Sequence, residues 1–532
     1  MRLGLAALAF ATMALPTSAQ EVDRTQINRI IDEGFNQSQV METAAYLADR
    51  IGGRLTNSPQ MREAEQWTQM RLREWGLTDV RAEGFEFGPG WSIIRSSVRM
   101  TAPRVIEQRA IPIAWTPPTN GLISAGIIVA PMATPGDFDK WRGKLNGKVV
   151  LVSQPDQGSE PTEPPFLRRT NEELARLDVY RQPSHSPAAI QRGFRQASFT
   201  EARDAFLAAE GALAWVRMSE RDGGLLHGEG RQIGRAARLP GFEFAAEDYR
   251  RLSRLALTDT PPTLEILSDV QFHDEDLNAY NILADIPGTD PRAGYVMAGA
   301  HLDSWVASDG AADNAAGSAV VMEAARILAS LKVRPKRTIR FALWSAEEQG
   351  MRGSAAYVER YLASRAPLTN PAHAKLSPGI TWANRWPVTT KAGHRDLVVY
   401  FNHDNGSGKI RGIRTEGNVA VVPIFREWLA PFSSMGASTV LNVPIPQSDH
   451  VNFLGVGIPG YQFIQDPLDY NSRIHHSSLD SYDHLKAEDL RQNAVILASI
   501  LLSAANRNDP LPRMPVPTQP RPTNPFEYSL PE

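Results

Sequence analysis

GAHLDSWVASDGAADNAAGSAVVMEAARIL, residues 299–328, decides how this chain is read. An apolar strand ends at His301, and Asp303, Asp309 and Asp313 follow before an Ala-rich helix begins. An Asp ahead of a helix is a favoured N-cap, because its side chain accepts unpaired backbone N–H groups and complements the helix dipole. One Asp would need no other reading. Three carboxylates and an imidazole within thirteen residues exceed what a cap uses, and like charges at a strand end repel unless a cation lies among them. The stretch holds no Lys or Arg before Arg326. A bound metal ion is the sharper expectation.

Composition narrows the chemistry. The chain has 532 residues, too many for one core, so at least two domains are expected. Its net charge of −3 gives no basis for nucleic-acid or anionic-membrane binding. The absence of cysteine excludes disulfides, thiolate metal sites and a Cys nucleophile, so a metal must be held by His, Asp and Glu.

The first residues, MRLGLAALAFATMALPTSAQ, place one Arg before an apolar run that Pro16 breaks, followed by small residues. This order predicts a secretory signal peptide over residues 1–20, cleaved near Ala19 or Gln20, and a secreted or periplasmic mature protein. No later apolar run is long enough for a membrane span. Residues 509–532 are Pro-rich and predict an extended tail, with Phe526 and Tyr528 as docking candidates.

Between these ends the pattern changes twice. Residues 21–75 carry helical spacing with Gly stops. GLISAGIIVAP, LNGKVVLVSQ and EGALAWVRMS are short apolar strands between Gly and Pro turns, which predicts a separate β-rich module over 117–272. From about residue 273, strands and helices alternate, predicting an α/β/α sandwich with a mostly parallel central sheet. Ligands in such folds bind at the carboxyl ends of the strands. His301, Glu347, Glu348, Asp404 and the pair His475–His476 fall at those ends, and Asp313 opens the helix after the first. A lone loop His or a Glu-Glu pair is ordinarily a solvated group. Their delivery from five separate pieces of chain to one sheet edge is what points to a site.

These residues sit in motifs. GAHLDSW, DGAADNAAG, SAEEQG, HDNGSG, SDHVNF followed by GIP, and HHSSLDSYDHL occur in the order in which the two-zinc exopeptidases of peptidase family 28 carry them. The chain resembles that family, which includes secreted aminopeptidases, glutamate carboxypeptidases and carboxypeptidase Q, over about residues 273–505 and more weakly in the N-terminal helices. GDFDKWRGKLNGKVVLV and EGALAWV resemble the protease-associated domain that several members insert. The resemblance implies a catalytic domain of residues 21–116 and 273–508, interrupted by that insert. It implies two zinc ions per chain. His301 and Asp404 would hold one, Glu348 and His476 the other, and Asp313 would bridge them. Glu347 would be the general base, Asp303 the carboxylate orienting His301, and His475 the oxyanion-stabilising group. A cis peptide between Asp313 and Asn314 is implied as well.

The chemistry agrees with those assignments. Zinc takes imidazole and carboxylate, and a shared carboxylate dilutes the repulsion between paired ions. Of two adjacent Glu, one can bind metal while its neighbour takes a proton. The expected activity is hydrolysis of terminal peptide bonds by metal-activated water, first as an aminopeptidase, with a carboxypeptidase Q-like carboxypeptidase or dipeptidase as the alternative. The expected partner is peptide substrate, and a homodimer is compatible with it. A non-catalytic, receptor-like binding protein would lack the complete ligand set, and a one-zinc aminoacyl cyclase would not need it. The substrate terminus turns on acceptors for an ammonium, such as Asp466 and Asp469, against Arg473, Lys409, Arg411 and Arg414 for a carboxylate.

Overall fold

A computed structural model describes residues 23–179, 189–230, 237–382, 385–445 and 447–518. The expected signal peptide, Phe526 and Tyr528 lie outside the described residues.

Two eight-stranded sheets organise the chain. The strands of the first run in the spatial order Thr78–Glu86, Asn278–Ile286, Thr338–Trp344, Tyr295–His301, Leu397–Asn402, Gly460–Gln465, Ile410–Arg414 and Thr439–Leu441. Tyr295–His301 pairs in parallel with both Thr338–Trp344 and Leu397–Asn402, and Leu397–Asn402 in parallel with Gly460–Gln465. The centre is therefore parallel, as crossover helices require. The flanks turn antiparallel at Asn278–Ile286 and Ile410–Arg414, so the sheet is mixed.

Helices cover both faces. Every residue from Ala316 to Leu328 is buried, because this helix lies under Ala487–Asn506 and against Val40–Ala45 and Arg24–Asn36. A helix with small apolar residues all round suits that layer. Its buried Glu323 is not left unpaired: Arg326 binds it at 2.9 Å and reaches Glu33 at 2.6 Å. On the opposite face Trp344, Tyr357, Tyr400 and Phe453 pack as one aromatic cluster. The expected α/β/α sandwich is observed. Among the described residues no helix is long and apolar enough to cross a membrane.

The N-terminal helical region is four segments, Arg24–Asn36, Val40–Ala45, Tyr46–Ile51 and Pro59–Glu74. Asp23 and Ser58 cap the first and last. The second sheet runs Ile106–Glu107, Gly90–Ala102, Thr263–His273, Ile123–Val129, Val149–Leu151, Ala214–Met218, Gly241–Phe244 and Ala110–Pro112. Strands from Gly90 to Pro112, ahead of residue 117, thus pair into it. Helices Ala189–Ala209 and Ala246–Leu255 accompany these strands, so the module is mixed α/β rather than β-rich throughout. The Pro-rich tail is described as far as residue 518. Leu511 is buried, and Arg513 donates to the carbonyl of His394 at 2.9 Å.

Candidate metal centre

The carboxyl ends of the parallel strands converge on Asp313. His301 closes its strand with Nε2 3.2 Å from Asp313 Oδ1 and 3.3 Å from Asp404 Oδ1. From another direction, His476 Nε2 lies 3.3 Å from Asp313 Oδ2 and 2.9 Å from Glu348 Oε2. The two oxygens of one carboxylate therefore face two separate groups of donors. The Asp313–Asn314 peptide is cis, as the resemblance implied.

These donors fit metal ions. Zinc holds nitrogen and oxygen ligands at about 2.0–2.2 Å, so two ligand atoms on one tetrahedral ion sit roughly 3.3–3.6 Å apart. The separations here are close to that size. Glu348 Oε1 is buried and has no hydrogen-bond partner, a cost that a cation would remove. Burial pushes the Glu348 carboxyl up to about 8, and Asp313 adds to the shift while His476 opposes it. Glu347 is driven well above the usual carboxylate range, by burial first and then by Asp404, Asp449 and Glu348 against the pull of His301. Asp313 and Asp404, beside the imidazoles, shift down instead, and carboxylates this crowded suit a cation among them.

A ring of further groups holds the first. His301 Nδ1 bonds the backbone carbonyl of Asp303 at 2.9 Å, whereas the Asp303 carboxylate stands 3.7 Å away. The carbonyl thus takes the N–H expected of the carboxylate. That carboxylate instead accepts the backbone N–H groups of Glu347 and Glu348, both at 3.2 Å, and fixes the doublet. Asp480 accepts from the N–H groups of Ala312 at 2.7 Å and Asp313 at 2.9 Å. Arg54, fully buried, binds the carbonyls of Leu302 at 2.8 Å, Asp309 at 2.7 Å and Gly310 at 2.8 Å, which shapes the loop between the two ligands. Ser448 donates to Asp404 Oδ2.

His475 and His476, adjacent in the loop, do not point apart. Their rings stack at 3.9 Å. His476 adopts φ 56 after the helical turn Tyr470–Ile474, and this left-handed residue folds both imidazoles to one side. Their partners still differ. His475 Nε2 stands 3.7 Å from Asp313 Oδ2, and its side chain is 42% exposed.

Sequence reasoning missed Glu229, Arg54, Tyr470, Ser448 and Asp449. Arg54 was readable only as part of the IGGR helix stop, and Ser448 and Asp449 only inside SDHVNF. Burial pushes the Asp449 carboxyl up to about 7, and Ser354 binds it. The candidate groups for a substrate terminus largely consume each other. Arg411 binds Asp466 at 3.0 Å, and Arg473 binds Asp469 at 3.3 Å.

Comparison with known proteins agrees with this geometry. Residues 281–501 match the model of peptidase family M28. Carboxypeptidase Q of Bos taurus is 24% identical over 485 residues, covering 90% of this chain and 88% of that protein. The fold is similar to that of a peptidase M28 precursor from Shewanella amazonensis SB2B, at TM-score 0.62 and 21% identity, covering 93% of this chain and 98% of the other. It is also similar to BSAP, a zinc aminopeptidase from Bacillus subtilis, at TM-score 0.56 and 18% identity, covering 88% and 95%. Matched in its ligand-bearing region by the family model and alignable along nearly all of its length with a carboxypeptidase Q, the chain carries a region similar to peptidase family M28 over residues 281–501 and is a zinc metallopeptidase.

Proposed function

We propose that this chain is a two-zinc exopeptidase that removes a residue from a free end of short peptides. The observation that carries the reading is the division of Asp313, with Oδ1 facing His301 and Asp404 and Oδ2 facing His476 and Glu348. Those five residues would hold the ions. Zinc bound there supplies a polarised scissile carbonyl and a water of lowered pKa.

The chain's own residues supply the rest. Glu347 would take the proton of the attacking water and return it to the leaving nitrogen. Burial holds its carboxyl above the usual carboxylate range, which favours accepting a proton. The Asp303 carboxylate holds Glu347 and Glu348 in fixed relation through their backbone N–H groups. Partial burial, with His476 and Arg221, holds the His475 imidazole below its ordinary value, against the pull of Asp313. A neutral imidazole there can donate an N–H to the oxygen that gains charge as the carbonyl is attacked.

We read residues 21–116 and 273–508 as the catalytic domain, 117–272 as a protease-associated insert, and residues 1–20 as an export signal. For the terminus attacked, alignment with a carboxypeptidase Q over nine-tenths of this chain supports the carboxypeptidase or dipeptidase reading over the aminopeptidase expectation. The deciding assay uses the purified, zinc-loaded protein on N-blocked, C-blocked and free dipeptides. A carboxypeptidase cleaves the N-blocked substrate and spares the C-blocked one. The opposite pattern establishes an aminopeptidase, cleavage of the free dipeptide alone establishes a dipeptidase, and cleavage of none of the three by a fully loaded protein rejects the exopeptidase reading.

A further inference from the structure

We infer that the inserted segment supplies Glu229 as a positioning residue for the metal ligand His476, so that one of the two metal positions depends on the insert and the other does not. The inference rests on the two-metal reading above.

Glu229 Oε1 lies 2.8 Å from Nδ1 of His476, whose Nε2 faces Glu348 and Asp313. An imidazole that donates from Nδ1 to a carboxylate presents its Nε2 lone pair to a metal and is a stronger ligand for it. His301 is held differently. Its Nδ1 bonds the Asp303 carbonyl two residues away, within its own loop. His476 takes its partner from 247 residues away in the chain.

The segment around Glu229 is built to hold that carboxylate in place. Leu226 and the ligand loop exchange two hydrogen bonds, Leu226 N to Ser478 Oγ at 3.2 Å and Ser478 N to the Leu226 carbonyl at 2.8 Å. Arg221 bonds the His475 carbonyl with one nitrogen and His227 Nε2 with another at 3.0 Å. His227 is fixed in turn by Glu243 at 2.9 Å. Glu229 then passes between two glycines, each set against the backbone of Ala114. Gly228 has φ +67, and its carbonyl accepts from Ala114 N at 3.0 Å. A Cβ on Gly230 would lie 2.2 Å from the Ala114 carbonyl oxygen. This clamp sets Glu229 against one face of the site, and Trp305 closes on the His476 ring edge-on at 6.4 Å.

The test is zinc titration of the metal-stripped full chain against chelators of graded affinity, alongside the visible spectrum of the cobalt-substituted protein. Glu229→Ala is expected to weaken one zinc by about 10–100-fold and leave the other at its wild-type affinity. One cobalt band set should shift and the other stay. Glu229→Gln keeps an acceptor oxygen for Nδ1 and is expected to recover most of the lost affinity, which a general loosening of the insert would not do. Glu229→Ala holding both zincs at wild-type affinity with an unchanged cobalt spectrum overturns the inference. So does equal weakening of both sites together with lowered thermal stability in both variants. A wild-type protein that takes up one zinc overturns the two-metal reading itself, and the inference falls with it.

Discussion

Tyr470 donates its hydroxyl to Oδ2 of Asp313 at 3.0 Å, the same oxygen that faces His476, while Oδ1 of that carboxylate faces His301. The bridging carboxylate is thus held asymmetrically, and substitution of the two residues should have unequal effects. Asp313→Ala is expected to abolish binding of both zincs. Tyr470→Phe should keep the fold and weaken the His476-side zinc by up to about 10-fold, the lower range for a partner of a metal ligand. Metal analysis at graded chelator concentrations separates these outcomes. Retention of both ions by Asp313→Ala would refute a shared carboxylate.

Glu347→Gln should bind zinc as the wild type does and unfold at the same temperature, but lose at least ~10²-fold in kcat, the usual scale for a general base. Measuring kcat beside metal content checks the division of labour within the doublet. Loss of a zinc would mean that Glu347 and Glu348 have exchanged roles.

The stacked histidines can be told apart by the same pairing of measurements. His476→Ala is expected to weaken one zinc, with activity partly restored by excess metal. His475→Ala should keep both ions and KM while lowering kcat, because a donor to the developing oxyanion acts mainly in the transition state. The reverse pattern would overturn the assignment drawn from their different partners.

Asp480 closes two buried backbone N–H groups beside the site. Asp480→Ala leaves both unsatisfied, at roughly 1–3 kcal/mol each. A fall in thermal midpoint with loss of zinc is expected. An unchanged midpoint in calorimetry would show that water replaces the carboxylate at little cost.

Glu243 predicts an acid limb of stability. Burial alone would raise its pKa, but His227 and Arg217 outweigh it and hold the group down to about 2. A carboxyl depressed in the folded state contributes stability that is complete above its unfolded value of 4.5 and is lost as pH falls towards 2. The stability difference between wild type and Glu243→Gln should therefore shrink across that window. Denaturant unfolding at pH 7, 4 and 3 measures it, and a constant difference would contradict the assignment.

The sequence by itself determined the alternating strand–helix half, the crowding of acids at His301 and Asp313, and the order of the motifs. These are local: a strand's apolar run, a helix's spacing and a motif's register are set within a dozen residues, where side-chain period reports burial directly. What the sequence could not hold was the pairing of the ligands with the groups behind them. Glu229 reaches His476, and Arg54 reaches the 302–310 loop, across about 250 residues of chain, and no periodicity records such a contact. The strands ahead of residue 117 joined the second sheet for the same reason, since backbone hydrogen bonding between distant strands leaves no local mark. The stacking of the two histidines turned on one left-handed backbone angle at a non-glycine residue. Tertiary packing imposes such an angle against the residue's own preference.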